Sequence, residues 1–532
     1  MSPESCNEEI MVTRRIKYPL GIQTFSEIIE ENYLYVDKTE LVYDLVNYNK
    51  YVFLSRPRRF GKSLLLSTIR SYFEGRKELF EGLAIGSLEK KWTVHPVLRF
   101  DLSAANYDHP DVLKSKLSSY LRELERDYGV DTDPTPALGD RFRELIRETC
   151  RKAGRKVVIL IDEYDKPMLD SLHDDELNSK LKSDLRGFYS TLKECDEYIR
   201  FAMLTGVTKF GKVSIFSGLN NITDISMLPG YDDICGITQQ ELLENFLPSV
   251  KVFAEYNGMA EQEVLREFKE FYDGYHFSRG GVDIYNPFST LHAFAHNDFG
   301  SYWFSSGSPS YLIKLIERTH FVLNDLDNPI RSESALSDIT DTSRDIVPLL
   351  YQSGYLTIKS YDPKTRLYTL GFPNREVSEG FWDSLSSYFF RQGRSMTEFD
   401  LYAFVDNLER GDAEKFMLRM KSLFASISSE HEPDKEVHFQ NMVTILVKML
   451  GFSVSAEVHS SYGRSDIEIK TPQYIYIIEL KLGGSAEEAY AQICDKGYAE
   501  QYAVDARTKV LIGANFSKDT RTLTDWKISE TK

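Results

Sequence analysis

The sequence predicts an α/β protein built on two separate sheets, and three observations carry that expectation. A short apolar stretch, KYVFLS (50–55), runs through a basic loop into SLLLSTIRSYFEG (63–75), whose leucines and aromatics recur with a helical rhythm before Gly75. A second apolar run, Val157–Ile161, ends in two acids, Asp162 and Glu163. Far downstream, residues 436–516 read in the order αβββαβ, which suits a mixed sheet flanked by helices. At 532 residues the chain can hold more than one core, since domains usually run to about 100–200 residues. Three parts are expected, with boundaries at 1–235, 236–410 and 411–532.

Composition supports packed cores: 32 Tyr and 32 Phe supply large side chains to bury, and disorder is expected only at the ends. The net charge of −17 argues against a general polyanion-coating protein but leaves room for a local basic groove. Arg14, Arg15 and Lys17 form one basic cluster, which a solvated tail explains equally well. The five cysteines are scattered and form no C-x-x-C pair, so they read as reduced thiols, neither a disulfide framework nor a zinc site. Acidic residues stand near the N-terminus where a signal peptide needs a basic region. The longest apolar runs fall far short of the roughly 20 residues a membrane span needs. The expectation is a cytoplasmic protein with no membrane partner.

The loop after the first strand, RPRRFGKS (56–63), ends as a phosphate cradle should. Gly61 lets backbone approach phosphate, Lys62 can reach β and γ oxygens, and Ser63 can offer its hydroxyl to Mg²⁺, with N–H groups added by the helix N-terminus. The loop opens differently from G-x-x-x-x-G-K-[ST], because Arg56 stands where the first glycine is expected. Arg56, Arg58 and Arg59 read either as added charge near the phosphates or as a solvated basic loop.

The run Val157–Ile161 suits a parallel strand buried on both faces. Two acids at its end need a metal or a partner to offset their desolvation. Asp162 would hold Mg²⁺, directly or through water, and Glu163 would polarise the attacking water. A third strand, IRFAMLTGV (199–207), brings Thr205 to its end, either as a γ-phosphate sensor or as a hydroxyl that satisfies a turn. These pieces predict the parallel sheet of a P-loop NTPase.

Five blocks in order sharpen this: YPLGIQTFSEIIEENYLYVDKTELVYDL (18–45), FLSRPRRFGKSLLLSTI (53–69), IDEYDKPM (161–168), LRGFYSTLK (185–193) and LTGVTKFGKVSIFSGLNNITDIS (204–226). They resemble the AAA-ATPase-like family of many bacterial chains, often found next to a nuclease-type domain. That family's loop commonly reads R-P-R-R-F-G-K-S, so the resemblance implies an ATP site despite Arg56. Tyr35, Asp37 and Lys38 match a further block without an assigned chemistry.

From 236 to about 410 the pattern is mainly helical and aromatic, and the resemblance makes it a lid and connector, able to transmit nucleotide state. His276 and His292 are too isolated to be ligands. LLYQSGYLTI (349–358) followed by RLYTLGFPN (366–374) reads as a small helix and hairpin.

In the last part, EVHFQNMVTILVKMLG (436–451) is helical and stops at Gly451. Asp466 is expected in the second following strand, and Glu479 and Lys481, two apart in the third, share one face. Two carboxylates and a lysine can bind Mg²⁺ and activate water against a phosphodiester. Glu436 would complete the acidic set. A D-x(n)-E-x-K triplet alone is a weak signal, but the helix after it carries AYAQICDKGY, with Gln492, Lys496 and Tyr498. This combination resembles the PD-(D/E)XK nuclease superfamily in its Q-I-x-x-K-x-Y form and implies a restriction-endonuclease-like α/β domain. Ser465 replaces the proline that precedes the first acid in the name-giving motif.

Two functions follow. One is an ATP-regulated, Mg²⁺-dependent nuclease acting on DNA rather than RNA; the other is a nucleotide-dependent switch whose nuclease fold only recognises nucleic acid or a protein partner. An arginine finger from a neighbouring copy would suit such an engine, which admits a homo-oligomer, yet no single Arg declares itself.

Overall fold

The computed structural model describes residues 16–131, 137–209, 221–307, 310–337, 345–389, 398–425, 435–451, 455–458, 466–517 and 522–531. Arg14, Arg15 and Ser465 lie outside them. The chain divides into two compact units, one of Met1–Ser306, Ile330–Thr342 and Pro348–Arg375, the other of Gly307–Pro329, Ser343–Val347 and Glu376–Lys532. Residues 236–410, expected as one region, are thus shared between the two.

The first unit is centred on a parallel sheet. Its strands are β1 (Tyr51–Ser55), β2 (Val97–Asp101), β3 (Val157–Asp162), β4 (Ile199–Gly206) and β5 (Thr223–Asp224), in the order β2-β3-β4-β1-β5. Parallel neighbours need crossovers, and the helices Lys62–Phe73, Pro110–Asp127, Leu138–Ala153 and Asp175–Glu194 lie in the connections. Every residue of β3 is buried, as its unbroken apolar run requires. Phe100 of β2 packs on Phe142 and Phe188, whose rings stack at 4.6 Å.

Beyond this sheet, β6 (Ile237–Thr238) pairs antiparallel with β7 (Ile284–Tyr285). Thr238 and Glu241 form a capping box that starts the helix Gln239–Asn257, and its Phe246 and Phe253 share a core with Phe268 and Phe294. A small antiparallel sheet completes the unit: β8 (Ile330–Ser332), β9 (Thr357–Asp362) and β10 (Leu367–Gly371), in the order β8-β10-β9. The expected hairpin is β9–β10.

The second unit carries a mixed sheet, β11 (Ser455–Val458), β12 (Ile467–Lys470), β13 (Tyr474–Leu482), β14 (Thr508–Phe516) and β15 (Leu523–Thr531), in sequential order. Only β13–β14 is parallel in this sheet, and the helix Ala486–Asp495 makes its crossover. That helix lies close over β14: a Cβ on Gly513 would come within 2.3 Å of the Tyr490 backbone nitrogen. Among the described residues no helix is long and apolar enough to cross a membrane.

Candidate functional site

The nucleotide-type site forms where β1, β3 and β4 end side by side. Gly61, with φ of +96°, turns the loop into the helix Lys62–Phe73, a conformation glycine adopts at no steric penalty. Lys62 is only 4% exposed; its Nζ donates to the carbonyls of Arg56 (3.0 Å) and Pro57 (3.2 Å) and lies 3.7 Å from Glu163 Oε1. Ser63 is half-buried in the first turn of the same helix. The buried Asp162 accepts through Oδ1 from Thr205 Oγ1 (2.7 Å), and Arg99 of β2 stands 3.9 Å from its other oxygen. Thr205 on β4 therefore touches the acid of β3.

Glu163 adopts φ of +51°, unusual for a residue with a side chain. It leaves β3 pointing its partly exposed carboxylate at Lys62. Asp165, two residues on within IDEYDKPM, carries no sequence signal of its own. It is fully buried, and its Oδ2 accepts from the N–H groups of Val207 (3.0 Å) and Thr208 (2.6 Å) and from Thr208 Oγ1 (2.7 Å). Its Oδ1 is buried without a hydrogen-bond partner against Gly206. Burial, with the neighbouring Glu163 charge, pushes this carboxyl up to about 7.

The three loop arginines part company. Arg56 is 1% exposed and faces inward onto protein carbonyls. Arg58 is half-buried with its guanidinium 5.2 Å from the Trp303 ring centre, and the exposed Arg59 (φ +66°) lies 5.0 Å from that of Phe288. Next to Gly61 opens an apolar cleft of about 660 Å³ including its mouth, lined among others by Leu34, Tyr35, Val36, Ile234 and Cys235. Lys38 borders it, held by both oxygens of Glu241 (2.5 and 2.6 Å). Burial raises the Cys235 thiol pKa, which makes it a neutral wall rather than a nucleophile.

The second site lies on one face of the C-terminal sheet. Asp466 immediately precedes β12 rather than lying within it, and its Oδ2 accepts from the Leu480 N–H at 2.8 Å. Because Ile467 pairs with Ile478, Asp466 is carried opposite Glu479. Lys481 Nζ is 3.6 Å from Glu479 Oε1. Gln492 of the overlying helix closes the group: its amide oxygen accepts from Lys481, its amide nitrogen donates to Glu479 and lies 3.4 Å from Tyr498 Oη. Lys496 is exposed at the helix C-terminus. Glu436 belongs to the helix Lys435–Leu450, and its side chain is outside the described residues.

Glu479 is 2% exposed, and its Oε2 is buried with no hydrogen-bond partner. Burial, then the adjacent Asp466 charge, pushes its carboxyl up to about 7, against the pull of Lys481. Burial also raises Asp466. Glu468, unnoticed in the sequence, shares this face but is fully engaged, accepting from Gln501 (2.9 Å) and Tyr502 (2.6 Å). Among the described residues no three His, Cys, Asp or Glu side chains form a metal-type cluster. Asp466 and Glu479 supply carboxylate oxygens, a donor set suited to a hard cation, and Glu479 Oε2 is buried without a hydrogen-bond partner.

A parallel sheet with a glycine–lysine–serine loop facing two acids, followed by a mixed sheet with a D…E-x-K face, defines an AAA-ATPase-like chain with a PD-(D/E)XK nuclease-like domain. Residues 19–216 match the family model described as "Predicted AAA-ATPase", and 434–526 match that of the PD-(D/E)XK nuclease superfamily. The "Uncharacterized protein in vnfD 5'region" of Azotobacter chroococcum mcd 1 is 34% identical over 522 residues, 96% of this chain and 98% of that protein. The chain belongs to this family of AAA-ATPase-like proteins with a C-terminal PD-(D/E)XK domain. Slighter likenesses exist to solved structures of the Aeropyrum pernix ORC2 protein in ADPNP–ADP complexes (12% identity, TM-score 0.27, 65% of this chain and 93% of that one) and of the ORC1 protein in complex with DNA (12%, 0.23, 64% and 86%). They are too weak to carry a functional inference.

Proposed function

We propose that the chain binds and hydrolyses ATP at the first site and that nucleotide state regulates Mg²⁺-dependent cleavage of nucleic acid, DNA in preference to RNA, at the second. The observation that carries this reading is Glu479: a buried carboxyl beside Asp466 with one oxygen unpartnered. A buried polar atom is ordinarily satisfied, and a divalent cation is the partner that would satisfy it while drawing both acids into the charged form.

In the first site Lys62 and the loop N–H groups would hold the phosphates, with Arg58 and Arg59 at the loop's outer side and the base entering the apolar cleft. Ser63 and Asp162 would hold Mg²⁺, Thr205 would fix Asp162, and Glu163 would orient water. In the second, Asp466 and Glu479 would hold Mg²⁺, which when bound neutralises phosphodiester charge and lowers the pKa of water. Lys481, set by Gln492, would hold the attacking water. The test is Mg²⁺-dependent cleavage of single- and double-stranded DNA, with and without ATP, by the wild type, Lys62→Ala and Lys481→Ala. Cleavage lost in Lys481→Ala and altered by ATP only when Lys62 is present supports the reading. ATP hydrolysis without cleavage under any condition replaces it with a nucleotide-driven binding protein.

A further inference from the structure

A phosphate loop ordinarily opens on glycine because the chain must bend there and approach the ligand closely. Here the position holds a cation that is 1% exposed. Its guanidinium does not point into the cleft. Nη1 donates to the carbonyls of Ser55 (3.0 Å) and Ser226 (2.7 Å), Nη2 donates to that of Tyr231 (3.0 Å), and the group lies 4.0 Å from the Phe277 ring centre.

The Arg56 backbone is equally committed. Its N–H donates to the carbonyl of Gly206, the residue after Thr205, at 3.2 Å, and its carbonyl accepts from Lys62 Nζ. One residue thus joins the phosphate lysine, the end of β4, the segment after β5 and an aromatic ring more than 200 positions away. The rest of the loop is held from the same side. Pro57 lies against Gly354, where a Cβ would sit 2.6 Å from the proline ring and φ is +90°. Trp303 Nε1 donates to the Arg58 carbonyl at 2.9 Å, and Phe60 meets Tyr275 edge-on at 4.7 Å.

We propose that Arg56 is a positioning residue: it replaces glycine's flexibility with a buried strut that fastens the phosphate loop to Phe277 and the Ser226–Tyr231 segment, so that the loop is preshaped by the part of the unit following the parallel sheet. The planar fork suits this role, since it bonds several carbonyls at once and stacks on an aromatic face, neither of which lysine does as well. This inference rests on the first site's being a nucleotide site. It separates from the view of Arg56 as a phosphate ligand in one respect: a strut shapes the whole loop and serves ADP and ATP alike, whereas a γ-phosphate ligand serves ATP alone.

The experiment is calorimetric titration of the full chain with Mg²⁺-ADP and Mg²⁺-ATP, with steady-state hydrolysis, for wild type, Arg56→Lys and Phe277→Leu. The expected result is a common loss of affinity for both nucleotides, about tenfold in Arg56→Lys and about threefold in Phe277→Leu, with KM raised more than kcat is lowered. Should Arg56→Lys not fold, Phe277→Leu, which leaves every loop residue in place, decides alone. Wild-type affinity in both variants, or a loss for ATP but not ADP, overturns the proposal. Wild type that binds neither nucleotide removes the nucleotide reading itself, and with it the strut's purpose.

Discussion

Glu479 and Asp165 are the two carboxyls that burial pushes highest among the described residues, both to about 7. A carboxyl raised in the fold stabilises it while protonated, so for Glu479 that contribution is complete below the ordinary value of 4.5 and is lost as pH rises through about 7. Wild type should lose of the order of 1–2 kcal/mol between pH 5 and 8 relative to Glu479→Gln. Mg²⁺ should return part of that loss in wild type only. Thermal melts across this range with and without Mg²⁺ check both, and parallel curves for the two proteins would refute the burial argument. Asp165 tests differently: in Asp165→Ala the N–H groups of Val207 and Thr208 lose their acceptor, which should destabilise by about 2–5 kcal/mol. Hydrogen exchange at those two amides should rise well above that of β3.

At the scale of elements, what could be read from the sequence was whatever local pattern dictates. The strands β1, β3, β4 and β13, the helix after the phosphate loop and the crossover helix before β14 all announce themselves by apolar runs or helical spacing; Asp162 closes β3, whereas Glu479 lies within β13 and Asp466 just ahead of β12. The five-residue β2, two-residue β5 and edge strand β15, with half its side chains turned outward, carry no such signal. The partners of Arg56 were illegible for another reason. Ser226, Tyr231 and Phe277 are brought to it only by tertiary folding. Gly513 is a similar case, since nothing in its neighbourhood says that a helix crosses it at van der Waals distance. Gly513→Ala must push the helix Ala486–Asp495 outward and carry Gln492 away from Glu479 and Lys481. A stability loss of about 1–3 kcal/mol is expected, together with loss of any cleavage; a variant with wild-type melting and cleavage would show that the helix tolerates the shift.

For the whole molecule, charge sets the terms of any encounter with nucleic acid. With a net charge of −17, binding depends on local cations and a metal, so it should fall at least about tenfold between 50 and 200 mM salt. Fluorescence anisotropy of a short duplex, with Ca²⁺ in place of Mg²⁺ to suppress cleavage, measures this, and salt-independent binding would point to contacts other than phosphate. The path of the chain through its two units has a consequence for synthesis. Gly307–Pro329 belongs to the second unit, yet it leaves the ribosome before Ile330–Thr342 and Pro348–Arg375, which the first unit still needs. At ordinary elongation rates the early segment waits roughly 3–14 s before residue 376 even begins to emerge. During that interval its apolar Leu312, Ile313 and Ile316 have no finished core to enter. Newborn chains therefore present this segment to chaperones and proteases during that window, and a gene cut between codons 307 and 375 would leave both products with missing parts.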